Sequence, residues 1–291
     1  MSRERGGEAG VVLINVLVML ALSATVVYAM LSLSELSLAR SQRFSEAGQA
    51  LALVRAGELS AIAALRRAVQ DAEPGGASPE LSIAQEPVEI AGGSFALVIE
   101  DAQGRYNLNG LARGGLLGLE TLRALAAALG LPPDTAPRIA ASLALHGPLE
   151  TLEALVSRAG LAPEHLAALE PYVTALPGPA DVNINAAPVE LLAVLLGNPT
   201  QARLLVSIRE RRGALTPADL ETARVVLPPG AGYRSDHFRL LTTVRIGGTV
   251  QTVESLLQRR RGTDGGNEVA VVRRKNAAAA MLPPPPSRLA R

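Results

Sequence analysis

The chain has no cysteine, no tryptophan and a single lysine, Lys275, and aromatic residues make up only 2% of its 291 residues. Without cysteine it can form no disulfide, no thiolate metal site and no cysteine nucleophile. So few aromatic rings leave little with which to stack bases, the usual way of holding a nucleic-acid strand without reading its sequence. The formal net charge is +1, so no strong overall field draws a polyanion to the surface. The three histidines, His146, His165 and His237, show none of the i, i+3 or i+4 spacing of a helix-borne zinc pair. No serine–histidine–aspartate arrangement and no phosphate-binding glycine loop stands out, so no catalytic residue is assigned and an enzyme is not expected.

What the chain does have is apolar length. Residues 11–33 form a run without a single charge. A helix of that length spans about 35 Å, enough to cross a hydrocarbon core of roughly 30 Å. Asn15, Ser23, Thr25 and Ser32 are its few polar residues. A secretory signal peptide has a shorter apolar run with small residues after it. Here the small residues, Ala9 and Gly10, come before the run. That inversion resembles the leader of type IV prepilins, in which the peptidase cuts after a glycine. The resemblance implies a cut between Gly10 and Val11, with Val11 as the methylated first residue. A plain uncleaved anchor is the other reading of this segment. Arg3 and Arg5 on one side balance Arg40 and Arg43 on the other, so flanking charge does not fix the orientation.

Beyond residue 33 the apolar pattern continues through Leu36, Leu38, Phe44, Ala47, Leu51, Val54, Ala61, Ile62, Leu65 and Val69, many of them three or four residues apart. This spacing predicts one long helix over about 11–71, half in lipid and half amphipathic, with Gly48 and Gly57 as soft points and Pro74-Gly75-Gly76 as its end.

A hairpin is then expected from residues 87–90 and 94–100 around Gly92-Gly93, and a second from 236–246 and 249–256 around Gly247-Gly248. Between them lie leucine- and alanine-rich helical segments. Asp134 suits a cap for a helix toward His146, and 148–159 and 163–176 read as two further helices, about six in all. Asn107 and Asn109, within Asp101-Ala102-Gln103-Gly104-Arg105-Tyr106-Asn107-Leu108-Asn109-Gly110-Leu111, suit backbone capping at a turn.

The same block resembles the D-x-x-G-[RK]-[FY]-N-L-N-x-L element of K-type minor pseudopilins of type II secretion systems, matching at eight positions. Val182-Asn183-Ile184-Asn185-Ala186-Ala187 resembles the opening of a helix-hairpin-helix module, and residues 202–220 resemble its second half. That module occurs in the K-type insertion and also in membrane-tethered DNA receptors of the competence type, so two readings follow. In a DNA-binding hairpin the phosphate rests on free backbone N–H groups at a helix start. Here Pro199 stands where a second glycine would supply one. Arg203, Arg209, Arg211 and Arg212 remain for nonspecific contacts, and nucleic acid is not an expected partner.

The resemblance extends over about residues 10–261 and implies an α+β fold. A long N-terminal transmembrane and amphipathic helix would pack on a small antiparallel, pilin-like sheet, and a large all-helical insertion would carry the hairpin. The implied boundaries are a leader at 1–10, the helix at 11–71 with its membrane part at about 11–33, a pilin-like domain at 72–106 and 225–260, the inserted domain at 107–224, and a disordered basic and proline-rich tail at 261–291. The resemblance further implies a single-pass inner-membrane protein with a periplasmic domain. Its partners would be I- and J-type minor pseudopilins, prepilin peptidase and, at the tip, secreted proteins. Asn15 falls on the fifth residue after the cut, where filament subunits carry glutamate and K-type subunits do not. Asn107, Asn109, Asn183 and Asn185 are structural residues in this reading. No cofactor is expected. Some pseudopilins hold Ca²⁺, to which Asp101 and Asp236 could contribute oxygens, but no EF-hand spacing appears and no metal ligand is assigned.

Overall fold

The computed structural model of the chain describes residues 6–70, 83–261 and 267–277. The end expected for the first helix at Pro74-Gly75-Gly76 and the tetraproline at 283–286 lie outside them, as does the start of the leader.

Helix α1 runs unbroken from Gly6 to Gln70, 65 residues. That is a rod of about 98 Å. Gly48 and Gly57 do not interrupt it. The hairpin that follows joins β1 (Ile83–Ile90) to β2 (Gly93–Asp101). Pro87 sits where the β1 register shifts, a position open to proline because β1 is an edge strand. The chain then leaves the sheet for a helical lobe. In order this holds β3 (Tyr106–Asn107), α2 (Leu111–Ala128), α3 (Thr135–His146), α4 (Ala154–Arg158), α5 (Pro163–Leu169), β4 (Val173–Thr174), β5 (Val182–Asn183), α6 (Val189–Leu196), α7 (Pro199–Arg212), α8 (Pro217–Ala223) and β6 (Ala231–Gly232). It returns as β7 (His237–Ile246), β8 (Thr249–Arg261) and β9 (Asn267–Asn276). The sheet is antiparallel, in the order β1-β2-β7-β8-β9. The fold is therefore α+β with an inserted helical lobe.

Alternation along the strands sends one sheet face to α1. Leu97, Ile99, Phe238, Leu240 and Leu257 pack with Ala61 and Leu65, while Val244, Ile246 and Val253 pack with Ala50 and Val54. The lobe has its own, larger core, built on Leu108, Leu122, Leu125, Ile139, Leu155, Leu169, Leu191, Leu192 and Leu205 among others.

Four expectations need correction. The basic tail is not wholly irregular, because residues 267–276 form β9, paired with β8 from Val253↔Asn276 to Arg261↔Asn267. Its Arg273, Arg274 and Lys275 meet Glu58, Glu153, Glu254 and lobe carbonyls. The helix expected over 148–159 shrinks to α4 because the side chain of Asn109 takes both the N–H and the C=O of Leu149. The helix expected to reach residue 176 stops at Leu169, since β4 pairs with β3 and the Leu176 backbone is taken by Asn107 and Asn109. Asp134 does not cap α3 with its side chain but lies 3.5 Å from Arg138, one turn along. The lobe has seven helices among the described residues, close to the six expected.

Candidate functional site

Two places carry side chains whose arrangement goes beyond packing a core. They are the outer surface of α1 and the joint at which the lobe meets the sheet.

The most apolar 18-residue window of α1 has a mean hydropathy of 2.3, and none of it is covered by the rest of the described chain. An apolar surface this long in water would cost far more than a small domain's stability, so it requires lipid or other helices. Gly10 and Val11 both lie in its first turns. Asn15 lies one and two turns before Met19 and Ser23 on a single face, exposed with them. Thr25 is satisfied within the helix, its hydroxyl donating to Ala21 O at 2.8 Å.

Further along, α1 has two apolar faces rather than one stripe. Ala50, Val54, Gly57, Ala61 and Leu65 are buried on the sheet. Gly57 allows the close approach: a Cβ there would lie 2.9 Å from Phe95 Cζ. Phe44, Leu51 and Leu59 are 79%, 41% and 68% exposed, so they lie on the free side. The sequence pattern merged the two faces because both recur at three- and four-residue steps.

At the joint, the four asparagines act as substitutes for backbone. Asn107 Oδ1 accepts from the N–H of Asn109 and of Leu176, and its Nδ2 donates to Gly178 O at 2.9 Å. Asn109 Nδ2 donates to Leu149 O at 2.8 Å and Leu176 O at 3.0 Å, while Leu149 N donates to its Oδ1 at 2.7 Å. Asn185 pairs both ways with the Leu215 backbone. Asn183 accepts from Asn185 N and donates to Asp101 Oδ2 at 2.8 Å and Ser235 Oγ at 3.0 Å. Local capping was the sequence expectation for Asn107 and Asn109. It holds at Asn107, whose side chain bonds two residues on, but not at Asn109, whose side chain reaches Leu149 and Leu176 instead, while Asn183 makes such a local bond to Asn185 N. The remaining bonds join segments far apart in the chain.

Asp101, Gln103, Ser235 and His237 complete the joint. Ser235 Oγ donates to Asp101 Oδ2 at 2.6 Å. Gln103 Oε1 accepts from the N–H of Asp236 and of His237 and lies 3.1 Å from His237 Nδ1, while its Nε2 donates to Asp181 O. Burial pushes the Asp101 carboxyl up, and bonds from Ser235 and Asn183 only partly offset it. Burial also pushes His237 down, with the Asp236 carboxylate opposing weakly. Sequence reasoning passed over Gln103 because the family pattern leaves its position free. Glu58 and Arg274 were missed as well. Burial works to raise the Glu58 pKa, but bonds from Arg274 and Ser255 outweigh it and hold the carboxyl below its usual value.

Asp101 and Asp236 each have partners within the protein. Asp101 is engaged by Ser235 and Asn183, and Asp236 pairs with Arg259 at 2.8 Å. Among the described residues no three His, Asp or Glu side chains are grouped to hold a metal ion.

The hairpin α6–α7 offers little to a phosphate. Gly197 takes the left-handed conformation and ends α6. Asn198 then caps α7, its Oδ1 accepting from Thr200 N at 3.0 Å and Gln201 N at 3.1 Å. Ala202 N donates to Asn198 O, and Pro199 has no N–H. At this turn the N–H groups of Gly197, Thr200, Gln201 and Ala202 are therefore occupied and Pro199 has none to offer. Arg209 turns inward to Ile184 O and Ala187 O, and Arg212 pairs with Asp219.

No family model matches the chain. It is 28% identical over 311 residues to the type II secretion system protein K of Pseudomonas aeruginosa, across 88% of this chain and 90% of that protein. A chain in the crystal structure of the GspK-GspI-GspJ complex from the enterotoxigenic Escherichia coli type 2 secretion system matches with a TM-score of 0.63 at 20% identity. That match covers 82% of this chain and 100% of the other, and at this identity it speaks for the fold.

Proposed function

We infer that the chain belongs to the K-type family of type II secretion system minor pseudopilins, a family of protein-secretion components. Its own apolar helix fits a single-pass membrane anchor.

Within that family the reading we favour is a subunit at the tip of the pseudopilus. The observation that carries it is the two-faced α1. One face is used up by its own sheet, and the other, with Phe44, Leu51 and Leu59, is free along a helix whose outer half already needs a membrane or neighbouring helices. I- and J-type pseudopilins are the proposed neighbours, since the structural relative comes from a complex with that composition. Prepilin peptidase would cut between Gly10 and Val11, which would leave the folded half in the periplasm. Asn15 supports a place at the end of the filament. A neutral amide there cannot neutralise the terminal amine of a preceding subunit, though it can donate a hydrogen bond between helices, typically worth about 0.6 kcal/mol in a bilayer. A first subunit has no preceding neighbour to neutralise. The lobe would then crown the filament, and the role is mechanical: to start assembly, to end it and to meet exported proteins. No catalytic role is proposed.

The test is co-expression with I- and J-type partners and purification from membranes through a tag on this chain. The native chain should bring both partners down. Phe44→Glu with Leu59→Glu should lose them and stop secretion in a strain lacking the native subunit, while the sheet stays folded. Full recovery of both partners by the double variant would contradict the free-face reading.

A further inference from the structure

The lobe leaves the sheet after Asp101 at the end of β2 and returns at His237 at the start of β7. These are neighbouring strands with Asp101 opposite Phe238. Its two covalent links therefore stand side by side and act mechanically as one pivot. The apolar contact beside that pivot is small. Ala102, Leu176 and Leu256 form a buried cluster of their own, separate from the lobe core and from the clusters under α1. The buried bonds of Asp101 and Gln103 to Asn183, Ser235 and Asp181 hold the lobe at the pivot itself, and a second attachment away from it would fix the angle of the lobe.

β9 supplies one. Val269 is buried with the sheet core and Val271 packs against it, which fixes the strand to β8. The residues that follow then reach three different parts of the protein. Arg274 makes a two-pronged pair with Glu58 of α1, Nε to Oε1 at 2.7 Å and Nη2 to Oε2 at 2.8 Å. Two parallel charge-assisted bonds of this kind fix orientation as well as distance. Ser255 adds a bond to Glu58 at 2.6 Å. Arg273 points to the opposite sheet face and donates to the lobe carbonyls of Ala175, at 3.2 Å, and Glu150. Lys275, on that same face, donates to Glu153 of the lobe at 3.2 Å and lies 3.8 Å from Glu254 of the sheet. A cavity of about 60 Å³ lies among these groups, lined by Arg105, Glu153, Arg239, Arg273 and Lys275. That is room for a few waters. Lys275 and Glu153 are partly exposed, so dissolved ions can screen their pair.

We propose that β9 is an electrostatic latch that sets the angle of the helical lobe against the α1–sheet unit, with Arg273 and Lys275 as its lobe-facing contacts and Arg274 as its tie to the helix. Releasing the two lobe-facing cations leaves β9 in the sheet and frees the lobe to turn about the Asp101–His237 joint. This assignment goes beyond the pseudopilin reading and does not depend on it, because it concerns only the internal geometry of the chain.

The absence of cysteine makes the test direct. Ser60→Cys on α1 and Glu210→Cys on the lobe, both exposed, take spin labels in the full-length protein in detergent, and pulsed dipolar spectroscopy reads the distance between them. In low salt the latched protein should give one narrow distribution. In 1 M salt, where the screening length is about 3 Å, it should broaden and gain a shifted population. Arg273→Met with Lys275→Met should show that broadened distribution already in low salt, with unchanged exchange protection in β8. A distribution unmoved by 1 M salt in the native protein would overturn the latch whether or not the double variant folds. So would a double variant that folds and keeps the narrow distribution.

Discussion

The helical lobe and the α1–sheet unit are stabilised in different ways. The lobe surrounds a broad leucine core and fixes its loops with asparagines that bond to distant backbone. Among the described residues the α1–sheet unit has two small apolar clusters along one helix face, and it adds charged bonds from strand β9. The lobe can therefore be a rigid body by itself. The α1–sheet unit exposes a second apolar surface and needs other molecules to complete it.

The largest expected effect falls on the lobe. Asn109→Ala removes three bonds to the backbone of Leu149 and Leu176 and leaves those groups without partners. It should cost about 3 kcal/mol, read as lost exchange protection in α2 and α6. A loss confined to the sheet would erase the contrast. Next comes the α1–sheet contact. Gly57→Val drives a Cβ against the Phe95 ring. Overpacking of this kind should cost about 2 kcal/mol, seen in β2 and β7 with the lobe unchanged.

The smallest effect is that of pH. The native state holds His237 below its usual pKa, so it favours the neutral ring. Its contribution is present above the unfolded value of about 6.5 and is lost as pH falls toward the folded value. Glu58 is held below its usual pKa as well, so its contribution is present above the ordinary glutamate range and fades only under stronger acid. Asp101 has the opposite sign. Its raised pKa means that its contribution is full below the unfolded value and is lost as pH rises through the folded one. His237 therefore favours a lower unfolding temperature at pH 5 than at pH 7 while Asp101 opposes it, and His237→Gln should diminish the slope toward lower stability in acid or reverse it. An undiminished slope in the variant would mean that the joint does not sense pH through this residue.

Much of this architecture was legible in the sequence, and the failures have a common cause. The placing of the lobe helices as an insertion in the sheet was implied only by the family resemblance, whereas the long helix, both hairpins and the run of helical segments follow from local periodicity and glycine turns. The short α4, the early end of α5 and strand β9 do not, because in each case a distant partner overrides local preference. Asn109 reaches Leu149, and Arg274 at the far end of the chain reaches Glu58 on the first helix. A basic run reads as solvated until its acids are known. The two faces of α1 also share one periodicity, so only the sheet could show which of them is covered. The long-range partners of Asn107, Asn109, Asn183 and Asn185 were not visible in the sequence either.

The central proposal, that the free face of α1 meets I- and J-type pseudopilins, is tested most directly by photocrosslinking in native membranes. A photoreactive residue replaces exposed Leu59 in one chain and buried Val54 in another. The account predicts adducts with I- and J-type subunits from position 59 and only internal products from position 54. Position 59 giving no protein adduct, or both positions giving the same partners, would contradict it.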